Sequence, residues 1–111
     1  MSLDRRSATR YQFIAEAEVY EIETDTQLRA KTGDLSLGGC FLDMLNPSPQ
    51  NSEVRVTIFR DNGTFSANGR VVFVVPNLGM GVIFTCVDAD QHTTLEKWIA
   101  ELKARQVVAR R

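Results

Sequence analysis

The pair Asn62-Gly63 constrains the fold most, because it stands between two runs that read as β-strands. Asn-Gly is the strongest short hairpin signal, since the favoured two-residue turn needs positive φ at both central residues. Val54, Val56 and Ile58 alternate ahead of it, and a long run from Phe65 to Val75 follows. Elsewhere the same period of two recurs. Phe13, Ala15, Ala17 and Val19 share one face of a stretch reaching Ile22, with Glu16, Glu18 and Tyr20 on the other. Leu28 to Thr32 alternates again after a polar turn at Glu23 to Gln27, Cys40-Phe41-Leu42 opens a third strand, and Met80 to Phe84 closes the set. Between them lie a loop stiffened by Pro47 and Pro49 and a turn at Pro76 to Gly79. The spacing predicts six short antiparallel strands in a small closed or partly open barrel, an arrangement that removes exposed edges.

After Val87 the period changes to that of a helix. Asp88 and Gln91 have the spacing of a capping box, and Leu95, Trp98, Ile99 and Leu102 follow at i, i+3, i+4 and i+7. This stripe predicts one amphipathic helix over an open end of the barrel, with Trp98 in the core and His92 on the surface. The fold class is therefore mainly all-β with a C-terminal α-helix. At 111 residues, 43% of them hydrophobic, the chain suits one core. It divides into an arm at residues 1–10, a domain at 11–105 and a tail at 106–111.

Thirteen Lys and Arg against fourteen Asp and Glu give a net charge of −1. That balance provides no general attraction to nucleic acid polymers or anionic lipid, so an anion site must be local. No apolar run approaches the roughly 20 residues of a membrane helix, and the first residues lack the apolar centre of a signal peptide. The expectation is a cytoplasmic protein without membrane insertion. Cys40 and Cys86 with a single His make no zinc spacing and no disulfide framework, and both read as buried reduced thiols.

Two short patterns carry the chemistry. Arg6 and Arg10 form RxxxR in an arm with an excess of positive charge, and Asp34, Ser36 and Gly39 form DxSxxG where the alternating pattern breaks off. Arginine offers planar paired donors to phosphate or to a guanine edge. An acidic and hydroxyl acceptor set followed by Gly38 and Gly39 lets another molecule approach the backbone closely. Together they suggest a guanine-nucleotide phosphodiester. A plainer alternative makes Asp34 and Ser36 a side-chain turn and the glycines a bulge.

These motifs, with Asn68-Gly69-Arg70-Val71-Val72 and Gly79-Met80-Gly81-Val82-Ile83-Phe84 in support, resemble the PilZ domain family, whose members bind the bacterial second messenger cyclic di-GMP. The resemblance runs from about Arg5 to Leu102 and implies a six-stranded barrel with a C-terminal helix. It implies that Arg6 and Arg10 grip phosphates and the guanine O6/N7 edges, and that Asp34 accepts from guanine N1 and N2. Ser36 would offer its hydroxyl, Gly38 and Gly39 would admit the ligand, and Arg5 would add a phosphate contact.

No catalytic set and no phosphate-binding GxxxxGK[ST] loop is legible, so the reading is a receiver with no cofactor and no metal. Cyclic di-GMP would order the arm and change the surface offered to an unidentified downstream effector protein. The alternatives are a PilZ-like adaptor that binds protein and no nucleotide, and a barrel for single-stranded nucleic acid, which the charge disfavours. One ligand or an intercalated pair remain equally open.

Overall fold

The structure, a computed structural model, describes residues 8–61 and 63–109. In chain order the elements are β1 (Tyr11–Gln12), β2 (Glu16–Glu21), β3 (Thr26–Leu35), β4 (Gly39–Asp43), β5 (Glu53–Arg60), β6 (Gly63–Val75), β7 (Gly79–Cys86) and α1 (Ala89–Ala109). Six strands close a barrel in the order β3-β2-β5-β6-β7-β4, with β4 returning to β3. The extra strand β1 continues the line of β2 along β3, where Tyr11 faces Leu35 and Gln12 faces Asp34. All pairings are antiparallel. The central hairpin forms, but one residue earlier than an Asn62-Gly63 turn implies: Arg60 stands opposite Gly63, which opens β6.

Strand alternation places the core. Val19, Val54, Val56, Ile58, Phe65, Leu42 and Met80 are fully buried inside the barrel. Alpha-1 closes one end: Leu95, Trp98 and Leu102 are buried, and Trp98 lies 5.9 Å from the Phe13 ring and 6.2 Å from that of Phe65, centroid to centroid. Arg60 joins lid to barrel. Its guanidinium sits 5.3 Å from the Phe13 centroid and 5.2 Å from that of Trp98, and donates to Glu101 at 2.9 Å. A partly desolvated cation over aromatic faces contributes about 1–2 kcal/mol.

Other details differ from the sequence expectations. Gln91 does not complete a capping box; its Oε1 accepts from the Ser66 backbone N–H at 2.7 Å and pins the first turn of α1 to β6. The helix also runs beyond Arg105 to Ala109, into the stretch read as tail. Most consequential, the second long strand does not stop near Thr32. It continues through Asp34 and Leu35, and what breaks its alternation is a bulge between Thr32 and Asp34.

No helix among the described residues is long and apolar enough to cross a membrane. The two thiols differ, against the expectation that both are buried. Cys40 faces the core, where burial first and the nearby Asp34 carboxylate second raise its pKa to about 12, with Arg10 opposing. Cys86 ends β7, just before the chain turns into the helix, and is exposed. Because the thiolate is the reactive form, native protein at pH 8 should release one equivalent of thionitrobenzoate with Ellman's reagent at once, and a second only after unfolding. Two rapid equivalents would contradict the buried placement of Cys40.

Candidate functional site

In a strand, successive side chains point to opposite faces, so an inserted residue turns everything after it over. Beta-3 uses this at Gly33. Thr32 pairs with Leu42 and Asp34 with Phe41, leaving Gly33 as the extra residue. Lys31 points out and Thr32 in; after the bulge Asp34 points out, where unbroken alternation would have sent it inward. Beta-6 repeats the device at Val72, since Val71 pairs with Val82 and Phe73 with Gly81. Phe73 is thereby brought to the outer face, 44% exposed.

The register lines these positions up. Gln12 faces Asp34, Asp34 faces Phe41, Phe41 faces Gly81 and Gly81 faces Phe73. They form one row across β1, β3, β4, β7 and β6 on the outside of the barrel. Phe41 and Phe73 meet above the strand between them, with ring centroids 5.9 Å apart and planes 24° from parallel. Gly81 makes the room: a Cβ there would stand 2.2 Å from the Phe73 ring, and one at Gly79 would stand 2.8 Å from that of Phe41.

Arg10 lies beside this row. Its Nη2 donates to Asp34 Oδ1 at 2.8 Å, and the same oxygen accepts from the Phe41 backbone N–H at 3.2 Å. The side chains are 50% and 32% exposed, so the pair is wet and contributes at most about 1 kcal/mol. Ser36 takes the role of a turn former. It is 3% exposed, its Oγ accepts from the N–H groups of Gly38 and Gly39 at 3.1 and 3.2 Å, and its N–H donates to the Gly39 carbonyl at 2.9 Å. The sequence offers this hydroxyl to a ligand; in the structure its bonds lie within the turn. Gly38 is fastened to the neighbouring strand β7 by its carbonyl, which accepts from the Phe84 N–H at 2.9 Å. Gly39 is required by packing, since a Cβ there would fall 2.2 Å from the Val82 carbonyl oxygen.

Arg10, Ser36, Gly38, Gly39, Phe73 and Gly81 thus border one shallow depression of about 40 Å³. Arg5 and Arg6 lie outside the described residues. A larger cavity, about 480 Å³, is elsewhere, between the β1–β2 connection, Arg60 and Leu102, and holds none of the motif residues. A ligand lying on the outer face of a closed barrel does not need a deep cavity. The sequence patterns do not mark Phe41, Phe73 and Gly81 as site residues. The signal was present in the broken alternation at Val71-Val72-Phe73, but its meaning depends on register.

A family model described as PilZ domain matches residues 4–101. Among solved structures, the PilZ domain of CeSA from a cellulose-synthesising bacterium is 18% identical, with 86% of this chain and 98% of that chain covered and a TM-score of 0.69. The PilZ domain of YcgR from Escherichia coli, solved with c-di-GMP, is 15% identical over 93% of this chain and 95% of that one, at a TM-score of 0.74. The Bacillus subtilis inhibitor of motility MotI/DgrA is 16% identical over 98% of this chain and has a TM-score of 0.76; the chain spans 55% of that longer protein. No curated protein matches. At these identities the structural likeness speaks for the fold alone.

The two glycines of the site should separate packing from platform. Gly39→Ala forces a backbone to move and should cost about 1–3 kcal/mol, whereas Gly81→Ala meets only the ring of half-exposed Phe73, which can swing outward at a cost below about 1 kcal/mol. Thermal unfolding followed by circular dichroism should therefore show the larger fall in Tm for Gly39→Ala. Equal falls would mean that Phe73 is locked in place.

Proposed function

The chain belongs to the PilZ domain family, and from that premise we propose that it is a cytoplasmic receptor for cyclic di-GMP, a receiver that signals to a protein partner and carries out no catalysis. The observation that carries this reading is the bond from Arg10 to Asp34, which joins two motifs 24 residues apart beside an aromatic floor. That YcgR's PilZ domain was solved with c-di-GMP on a like fold supports the choice of ligand.

Each group has a task in this proposal. Asp34 Oδ1 already holds two donors, and a carboxylate offers about four lone-pair sites, so Oδ2 is available to guanine N1–H or N2–H. Phe73 lies in the same cross-strand row and presents a face on which the purine can stack, worth about 1–3 kcal/mol per base. Arg10 turns its remaining donors to a phosphate or to O6/N7, and Arg5 and Arg6 add phosphate contacts from the arm. Ser36 contributes by holding the turn that sets Gly38 and Gly39 flat beneath the ligand. The partner reads the arm once it is folded over the bound nucleotide.

Isothermal titration of the protein with cyclic di-GMP, with GTP as control, tests the proposal and counts one ligand or two. Arg10→Ala and Asp34→Ala should each weaken binding about ten- to a hundredfold, the loss of one charge-assisted contact at about 1.5–3 kcal/mol. On saturation the amides of residues 1–10 should gain protection from hydrogen exchange. Absence of heat at high micromolar ligand would refute the receptor and favour the adaptor that binds protein alone. Binding without added protection would refute the arm's part in signalling.

A further inference from the structure

Arg10 reaches Asp34 only because the segment behind it is held in register, and the hold is unusual. Beta-1 is two residues long and pairs with β3 alone, too little to be stable by itself. Between β1 and β2 the ladder is broken. Gln12 faces Asp34 and Glu16 faces Lys31, so Phe13, Ile14 and Ala15 stand against Thr32 and Gly33, three residues against two. Two backbone bonds survive, from Phe13 N–H to the Gly33 carbonyl at 3.2 Å and from Thr32 N–H to the Ala15 carbonyl at 2.9 Å. The mismatch leaves the Ala15 N–H and the Phe13 carbonyl without backbone partners in the ladder.

Both are met by one side chain. Thr32 Oγ1 accepts from the Ala15 N–H at 2.8 Å and donates to the Phe13 carbonyl. Thr32 is 0% exposed, so no water can replace it. A methyl in place of that hydroxyl would leave a buried donor and a buried acceptor unpaired, and the segment would relieve them by leaving β3. We infer that Thr32 is a positioning residue of the binding site: its hydroxyl splices β1 onto β3 and thereby sets Arg10 beside Asp34. The inference rests on the receptor reading for its effect on affinity, and on the bond network alone for its effect on β1.

The test compares Thr32→Val, which keeps shape and removes the hydroxyl, with Thr32→Ser, which keeps the hydroxyl. Without ligand, hydrogen exchange at Tyr11, Phe13 and Ala15 should quicken in Thr32→Val and stay near wild type in Thr32→Ser, while exchange in β5 and β6 is unchanged. Unchanged exchange at those three amides in Thr32→Val would overturn the inference whether or not the protein binds cyclic di-GMP. With ligand, if the registered segment falls to about a tenth of molecules, apparent affinity for cyclic di-GMP falls about tenfold, and Thr32→Ser restores it. The Arg10→Ala, Thr32→Val double variant should lose less affinity than the sum of the two single losses, because Thr32 acts through the segment that carries Arg10; fully additive losses would overturn the positioning role. If Thr32→Val fails to fold, Thr32→Ala, which also lacks the hydroxyl but adds no second methyl, is judged by the same criteria. A wild-type protein that binds no cyclic di-GMP refutes the receptor, and the exchange experiment still decides the role of Thr32.

Discussion

The face toward which a strand residue points is fixed by counting, and the outer row of this barrel depends on two of the places where the count is altered. At Gly33 and Val72 an extra residue reverses the alternation, and the residues that follow, Asp34 and Phe73, appear outside. Nothing about a carboxylate selects this. Asp34 follows Thr32, which points into the core, by two positions, and an unbroken strand would have buried both on the same side. The bulge converts what would be a buried charge into an accessible acceptor and, by the same reversal, turns Leu35 into the core, where unbroken alternation would have pointed it out.

Closure of the barrel gives that surface its rigidity. Beta-3 is central to it, pairing with β2 along its first part and with β4 and β1 along its last. The end of the barrel is sealed by Trp98, and Arg60 fastens the seal by touching Phe13, Trp98 and Glu101 together. Phe13 is therefore shared by two structures: the aromatic cluster under the helix and the segment that leads to Arg10. Packing at the closed end and chemistry on the outer face meet in the three residues between β1 and β2.

Much of this was legible in the sequence. The Asn62-Gly63 hairpin, the alternating strands and the stripe of Leu95, Trp98 and Leu102 yield the barrel and its helical lid, because each signal is local and each element obeys one period. The motifs marked Arg10 and Asp34, and the structure joins them. What stayed hidden needed partners from afar. The sequence pattern ends β3 too early because a parity change looks like the end of a strand when the neighbouring strand is not in view. For Ser36 the sequence leaves two roles open, a hydroxyl for a ligand and a side-chain turn, and only the folded turn shows the Gly38 and Gly39 amides converging on it. Gln91 matched a cap by spacing, but a β6 amide captures it. Cys86 looked as apolar as Cys40, and its exposure follows from its position at the last residue of β7.

The row that runs from Gln12 through Asp34, Phe41 and Gly81 to Phe73 has a consequence for how such a surface can change over time. Its members are related by register, so a replacement at one position alters that position only. Insertion or loss of a single residue within β3, β4, β7 or the second half of β6 would instead invert every later side chain of that strand, carrying a core residue outward and a row residue inward together. Lineages descended from such a barrel are thus free to diverge widely in residue identity while the lengths of these strands and the places of their bulges are held, and their length variation should collect in the connection between Met44 and Ser52 and at the chain ends.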